Sequence, residues 1–313
     1  MLPVFLATLS PMLVMFCCIA VGFGLRKSNI LPENGGTVLS RLETYVLVPA
    51  LTVNTFRRNC TVLSFSENYH YILSGTAVLA AALIIATVLC RLFAKEGYQR
   101  NVYHYALTFA NYGFMGNAIV PVILGEEFLY LYMMFTLPLS VGVYTWGIAT
   151  LIPRGSEKQA WWRRLINPMF AAILVGAALG LSGLNAYIPA FLSGVLDTCA
   201  ACMAPVAMIL TGFVVGGYGV RSLFSNGKVY IATALRLLVL PAVFLGALYL
   251  LGADKLTMLF ALFAFATPLG LNTVVFPAAY GGETHTGAAM AMVSHSLCVI
   301  TIPLLYSLVT ELM

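Results

Sequence analysis

Ten apolar runs follow one another along the chain, and this succession is the feature that most limits how it can fold. The runs occupy residues 4–25, 37–56, 71–93, 102–124, 128–152, 168–184, 188–217, 229–251, 256–280 and 284–310. A membrane-spanning helix needs about 20 mostly apolar residues, because it must cross roughly 30 Å of hydrocarbon. Ten spans would use about 200 residues of the 313 in the chain. The sequence therefore predicts an all-α membrane protein with ten transmembrane helices.

Composition excludes the soluble alternatives. Hydrophobic residues make up 61% of the chain and charged residues only 9%, whereas soluble globular proteins carry about 25% charged residues. A soluble fold of this size has too little interior to bury so many aliphatic side chains. Soluble enzymes, nucleic-acid-binding proteins and disordered scaffolds are therefore excluded, and the expected partner is the lipid bilayer, not a nucleic acid.

The basic residues indicate the orientation of the chain. If Met1 lies outside, the loops on the cytoplasmic side carry twelve basic residues, which are Arg26, Lys27, Arg41, Arg91, Lys95, Arg100, Arg154, Lys158, Arg163, Arg164, Arg221 and Lys228. The outer loops carry only three, which are Arg57, Arg58 and Lys255. Cytoplasmic loops of membrane proteins are enriched in Lys and Arg. This asymmetry predicts that both termini lie outside, as an even number of spans requires.

The longest polar connection lies at the middle of the chain. Residues 153–167 carry four basic residues and a pair of tryptophans, which suit a cytoplasmic linker at the membrane interface. This linker divides the chain into a first repeat, 1–152, and a second repeat, 168–313. Each half contains five spans, and because five is odd, the second half must enter the membrane in the opposite direction. The prediction is a 5+5 inverted repeat.

A single sequence offset supports this repeat. At an offset of 156 residues, the stretch 109–127 aligns with 265–283, with Phe, Ala, Pro, Gly and Glu identical at five positions. The same offset aligns Pro49 with Pro205, in a different pair of spans. Identities between apolar segments are common by chance, but one offset that serves two separate helix pairs favours a true repeat.

The fourth and ninth spans contain residues that disfavour a continuous helix. The fourth span contains Asn111, Tyr112, Gly113, Gly116, Asn117 and Pro121, and the ninth contains Thr267, Pro268, Gly270, Asn272, Thr273 and Pro277. Proline inside a helix costs about 3 kcal/mol, and glycine up to about 1 kcal/mol. These clusters predict two broken helices that cross near the membrane midplane, where secondary transporters place their substrate site. The simpler alternative is that these residues only kink packed helices.

The same clusters indicate a ligand. A broken helix exposes backbone N–H groups at a half-helix N-terminus, which carries about half a positive charge and binds carboxylate or phosphate without a basic side chain. The asparagines and threonines of the clusters add neutral donors, and no carboxylate lies among them. These groups favour a small organic anion as the substrate, and we expect no metal or cofactor.

Other polar residues within the spans are weaker candidates for the cavity or for ion coupling. Asp197 could carry a coupling proton, or it could pair with a basic group near one interface. His295 could line the path or titrate, although a packing role is slightly favoured. Tyr45 and Asn54 flank Pro49 and could face the cavity. For Arg236, a side chain that reaches to the cytoplasmic interface is the favoured interpretation.

Three motifs resemble the auxin efflux carrier family. They are Asn-Tyr-Gly-Phe-Met-Gly-Asn at 111–117, Pro-x-Gly-x-Asn-x-x-x-Phe at 268–276 and Val-Pro-Ala-Leu at 48–51. The family is similar in fold to bile-acid sodium symporters and sodium/proton antiporters. The resemblance implies a scaffold, a transport unit with an elevator-like movement, a plasma-membrane location and a homodimer. It also assigns six residues to the crossover, which are Asn111, Asn117, Pro121, Pro268, Asn272 and Pro277.

The short linker 153–167 differs from the long cytoplasmic loop of many plant members, so the chain resembles the bacterial and compact branches. The expected function is therefore a secondary active or facilitative transporter of a small mono- or dicarboxylate, such as malonate or malate, more than of auxin itself. The alternative is a cation-coupled symporter or a sodium/proton antiporter of related fold, and H⁺ or Na⁺ coupling stays open. An intramembrane enzyme is not expected, because neither H-E-x-x-H nor G-x-S-x-G occurs in the sequence.

Overall fold

The computed structural model describes residues 2–152, 166–279 and 282–312, so nearly all of the predicted linker 153–167 lies outside the described residues. The α-helices of these ranges are α1 (Leu2–Lys27), α2 (Gly35–Leu42), α3 (Val48–Asn59), α4 (Val62–Asn68), α5 (His70–Leu89), α6 (Tyr98–Thr108), α7 (Asn117–Ile123), α8 (Glu127–Gly142), α9 (Ile148–Leu151), α10 (Pro168–Leu181), α11 (Ala190–Gly216), α12 (Val220–Leu223), α13 (Gly227–Ala234), α14 (Leu240–Leu250), α15 (Lys255–Phe265), α16 (Asn272–Ala279) and α17 (His285–Leu312). π-helical turns lie at Glu43–Leu47, Tyr112–Gly116, Val143–Gly147 and Leu235–Val239, and 3₁₀ turns at Cys90–Leu92 and Leu184–Tyr187.

The described chain is all-helical and carries several helices that suit a bilayer. Six are long and apolar enough to span it: Leu2–Lys27, His70–Leu92, Glu127–Leu151, Ala190–Gly216, Gly227–Leu250 and His285–Glu311. Tyr112–Ile123, Pro168–Leu181 and Lys255–Phe265 are shorter apolar helices. The predicted second span lies in the helical stretch 35–59, whose four charged side chains lower its hydropathy. The protein is therefore a multi-pass membrane protein.

Prolines explain two of the π-helical turns. Pro49 and Pro241 each follow a π turn by two residues. A proline inside a helix has no N–H to donate, and its ring clashes with the carbonyl group four residues earlier. A wider turn before the proline moves that carbonyl group away while the helix continues. Both helices thus pass through a proline without breaking, in contrast to the two helices described below.

The helices can be divided into two groups, which contact each other along α1 and α17 and enclose the functional region elsewhere. In the first group, α1 lies along α11, and α3 packs against both α10 and α11. In the second group, α5 packs against α8, α14 against α15 and α13 against α17. The fully buried aromatic side chains are concentrated in the second group, including Tyr105, Phe109, Tyr132, Phe135 and Phe265. This dense second group holds both of the interrupted helices.

Candidate functional site

Two interrupted helices meet at the centre of the second helix group. Helix α6 ends at Thr108, and helical structure resumes at Tyr112, after the non-helical residues 109–111. Helix α15 ends at Phe265, and α16 begins only at Asn272. The two gaps pair with each other through an antiparallel bridge between Ala110 and Leu269. The second gap therefore supplies a backbone acceptor to the first.

Hydrogen bonds between the two gaps and with α17 hold this junction in place. The Asn111 backbone N–H donates to Pro268 O at 2.8 Å, and the Leu269 N–H donates to Ser294 Oγ at 3.0 Å. His295 Nδ1 donates to Ala291 O at 2.7 Å, which leaves Nε2 to accept from Asn111 Nδ2 at 3.3 Å. His295 is therefore buried and supports the junction. It does not line the central cavity described next, but it lines a separate cavity of about 170 Å³ between α1, α11 and α17.

A cavity of about 150 Å³ lies against the junction, between the two helix groups. Six of the predicted site residues line it, namely Asn111, Tyr112, Gly113, Asn117, Gly270 and Asn272. The first helix group contributes Ser40, Thr44, Val48, Met169 and Leu210 to the opposite wall. Drug-sized ligands occupy sites of about 300–1,000 Å³, so this central cavity suits a molecule of only a few carbon atoms.

The polar groups of the central cavity are neutral. Asn272 Nδ2 donates to Tyr105 Oη at 2.9 Å, and Tyr112 Oη donates to Ser140 Oγ at 3.1 Å. Asn117 Oδ1 is buried with no hydrogen-bond partner among the described residues. Each interrupted helix consists of two half-helices, and the second halves begin at Tyr112 and Asn272, which both line the cavity. The first backbone N–H groups of these second halves therefore lie beside the cavity. The lining therefore offers uncharged donors and helix N-termini to a ligand.

The other predicted crossover residues lie behind this wall. The backbone of Gly116 approaches the Tyr132 hydroxyl so closely that a Cβ would overlap it, and Thr273 lies close to Gly287 in the same way. Thr273 Oγ1 donates to Gly270 O at 3.0 Å, and Thr267 Oγ1 is buried without a partner among the described residues. Pro121 and Pro277 lie within α7 and α16. With Pro268, these residues shape the half-helices without lining the cavity.

A larger cavity of about 850 Å³ adjoins the central one and shares Ser40, Val275 and Phe276 with it. We call it the vestibule; its polar lining is Arg26, Glu33, Thr37, Ser40, Arg41, Tyr45 and Tyr218. The predicted site residue Tyr45 therefore faces the vestibule and not the central cavity. The two arginines lie in the last turns of α1 and α2, on the side of the membrane that the charge asymmetry predicts to be cytoplasmic.

Asp197 and Asn54 belong to a polar cluster at the other end of α3. Arg58 Nη2 donates to both Asp197 oxygens, at 2.6 and 2.8 Å, and Asn54 Nδ2 donates to Asp197 Oδ1 at 2.8 Å. Arg57 Nη2 donates to Asn54 Oδ1 at 2.6 Å, and Arg57 Nη1 to Asn185 Oδ1 at 2.7 Å. Of the two interpretations of Asp197, the structure favours pairing with a basic group, and neither residue lines the central cavity.

The expectation that Arg236 reaches the cytoplasmic interface is wrong. Its side chain is 0% exposed, and Nη1 donates to Leu107 O at 2.9 Å. The π turn Leu235–Val239 and the packing of α14 against α15 direct the guanidinium inward, over the Phe265 ring. Sequence reasoning also missed Glu43, whose carboxylate oxygens are buried without a partner among the described residues.

Comparison with known families identifies the chain. The sequence profile of a family described as "Membrane transport protein", the auxin efflux carrier family, matches residues 7–160 and 152–306. Together the two matches cover nearly the whole chain. The chain belongs to this family. Its members are membrane transporters and not enzymes, and the resemblance found in the three motifs is confirmed. No protein in the curated set matches the chain.

Sequence reasoning missed several side chains of this transporter's central cavity. Ser40 and Thr44 lie one turn apart on the same face of the stretch 35–59, and a polar stripe at helical spacing is a signal that could have found them. Ser140 is a single polar residue within α8 and carries no such signal, and neither does Tyr105 of α6, which contacts the lining residue Asn272. Only the packing of those helices against the half-helices reveals their contacts.

The Asp197→Asn variant of the transporter is expected to unfold at a lower temperature without a change in the pH profile of transport. The Arg58 and Asp197 side chains are 49% and 43% exposed, so the ion pair contributes about 1 kcal/mol or less. Losing the carboxylate also removes a charge near the buried Arg57 guanidinium. Thermal unfolding in detergent and transport across a pH series measure the two effects. A flattened pH profile with normal thermal stability would support proton coupling by Asp197 instead.

Proposed function

We propose that the protein is a secondary active or facilitative transporter of a small organic anion, such as a mono- or dicarboxylate. The observation that carries this proposal is the central cavity, which lies where two interrupted helices pair and is lined by neutral donors and half-helix N-termini. In the proposed architecture, α6 with α7 and α15 with α16 are the fourth and ninth of ten spans in a 5+5 inverted repeat. The overlap of the two family matches at residues 152–160 supports this division.

Electrostatics support an anion as the substrate. A half-helix N-terminus carries about half a positive charge, and backbone N–H groups at that end bind carboxylates directly. Arg26 and Arg41 outnumber Glu33 among the charged residues of the vestibule, although Arg26 Nη2 pairs with Glu33 Oε1 at 3.2 Å. The approach to the cavity is therefore net positive, which favours anions. Acidic residues inside membranes commonly mark cation pathways, and no described residue supplies a carboxylate to the central cavity.

The position of the cavity supports alternating access by an elevator-type movement. One wall comes from α2, α10, α11 and the π turn between α2 and α3, and the other from the half-helices and α8. Sliding of the second helix group against the first would carry the half-helices, and a ligand held by them, across the membrane. We place the protein in the plasma membrane with both termini outside, as a homodimer, which accessibility labelling and cross-linking in membranes would test.

Counterflow in proteoliposomes tests the proposal. Vesicles loaded with a panel of small mono- and dicarboxylates are expected to accumulate a labelled carboxylate from outside when the purified protein is present. The exchange rate of the Asn117→Ala variant is expected to be at least about ten times lower than that of the wild type, because a hydrogen bond to a charged group contributes about 1.5–3 kcal/mol. The matched control is Asn68→Ala, since Asn68 lies in α4, outside the cavity lining, and donates to Ser64 O of its own helix.

The outcomes of this experiment are distinct. Exchange that depends on Asn117 and not on Asn68 supports an anion site at the crossover. If no carboxylate moves while the protein dissipates a sodium or proton gradient, the cation-antiporter alternative replaces the proposal. Equal rates for both variants would place the substrate site elsewhere.

A further inference from the structure

Arg236 is a buried cation with no anionic partner. Its side chain has no exposed surface, and no carboxylate oxygen of the described residues lies within 4.0 Å of it. Its Nε and Nη2 atoms have no hydrogen-bond partner in the same part of the chain. An unpaired charge in a membrane interior is costly, and where it persists it commonly has a function.

The position of the guanidinium follows from the gap at residues 109–111, which interrupts the first of the two helices. In an uninterrupted helix, the Asn111 N–H would donate to Leu107 O, four residues earlier. It donates to Pro268 O instead, so Leu107 O loses its helical donor. Arg236 Nη1 takes that place at 2.9 Å. The arginine thus supplies the hydrogen bond that pairing of the two gaps has removed.

The same guanidinium also packs over the side chain of the last residue of α15. Its central carbon is 5.0 Å from the centroid of the Phe265 ring, and Phe265 is the last residue of α15. Helix C-termini carry about half a negative charge each. Arg236 therefore binds a carbonyl at the C-terminus of α6 and packs over the last side chain of α15. Secondary transporters of interrupted-helix design coordinate Na⁺ or H⁺ with freed backbone carbonyls at such C-termini.

We propose that Arg236 is a built-in counter-cation, which permanently occupies the freed carbonyl at the C-terminus of α6 and makes transport independent of Na⁺. A coupling ion would have to compete with a fixed charge that is already hydrogen-bonded at this place. With substrate bound, the crossover would then hold the buried Arg236 guanidinium at the C-terminus of α6 and the anion at the N-termini of the second half-helices. Arg236 acts here as a positioning residue, because it does not line the central cavity. The inference rests on the proposed function, since it concerns how the same anion is moved.

Counterflow in three buffers of equal ionic strength tests this inference. The principal salts are of sodium, potassium and N-methyl-D-glucamine, and the wild-type rate is expected to agree among them within about twofold, well below typical coupling factors of about 5- to 150-fold. The Arg236→Gln variant is expected to be at least about tenfold slower without sodium. Addition of sodium or guanidinium ions is expected to restore part of that loss. Arg236→Lys keeps the charge and is expected to remain sodium-independent.

A second measurement tests the inference even if the Arg236→Gln variant folds too poorly to transport. The apparent melting temperature of detergent-purified Arg236→Gln is expected to rise with guanidinium or sodium salts more than that of the wild type. A wild-type protein that exchanges carboxylate only with sodium overturns the inference while the proposed function stands. An Arg236→Gln variant with wild-type exchange and no response to either cation also overturns it. Absence of any carboxylate exchange by the wild type would instead contradict the proposed function itself.

Discussion

Replacement of Asn117 by aspartate is expected to reduce carboxylate exchange far more than replacement by alanine. The Asn117 side chain lines the central cavity, and its Oδ1 has no partner among the described residues. A fixed negative charge about 4 Å from a bound anion costs about 4 kcal/mol at an effective dielectric constant of about 20, or roughly a thousandfold in affinity. Counterflow measured over a range of substrate concentrations would report this as a large rise in KM.

The pH dependence of the same variant makes this prediction more specific. Acidification is expected to restore part of the exchange by Asn117→Asp, because a protonated aspartate is neutral and close in shape to asparagine. The control is Asn68→Asp, which adds the same charge in α4, outside the cavity lining, and is expected to transport normally. Normal carboxylate exchange by Asn117→Asp would contradict an anion site at the crossover.

The second large effect concerns folding of the first helix group. A Cβ at Gly212 of α11 would overlap the Ile19 carbonyl oxygen of α1, and a Cβ at Gly22 would overlap Ile209 O in return. The two backbones are therefore in contact, as small residues permit in membrane helix pairs. Gly212→Ala is expected to force them apart and to destabilise the protein by about 1–3 kcal/mol. Thermal unfolding in detergent measures the loss.

Gly194 provides a matched control on the same helix. It also lies in α11, and a Cβ there would meet nothing within 4 Å. Gly194→Ala is therefore expected to keep the stability or to raise it by up to about 1 kcal/mol, because alanine favours the helix. Similar melting temperatures for the two variants would show that α1 and α11 are not packed backbone to backbone.

Much of the candidate site was accessible to sequence reasoning, because local chemistry marks it. The clusters at 111–121 and 267–277 combine proline, glycine and asparagine inside apolar runs, and the structure interrupts its helices at 109–111 and 266–271. Six of the twelve predicted crossover residues line the central cavity. The other six lie behind the cavity wall, and sequence patterns cannot separate such positions from residues that contact a ligand. Their assignment to substrate binding stays a prediction.

The direction in which single polar side chains point was not accessible to sequence reasoning. Arg236 and Asp197 are isolated charged residues in apolar runs, and either could have reached an interface. The structure buries Arg236 over Phe265 and pairs Asp197 with Arg58 across two helices. Both outcomes depend on partners that are more than 20 residues away in the chain. Hydropathy gives the depth of a residue along its own span but not the neighbouring span that it faces.

By itself, the sequence determined that this protein is an all-helical membrane transporter, and it marked the two segments where the helices lose regularity. Both properties follow from local physics, because apolar runs must be helical in hydrocarbon and proline with glycine disfavours the helix wherever it occurs. Only the tertiary structure decided that the two gaps pair through Ala110 and Leu269. It also decided that Arg236 replaces the lost donor to Leu107 O. Hydrogen bonds between distant segments depend on helix packing, which no local pattern encodes.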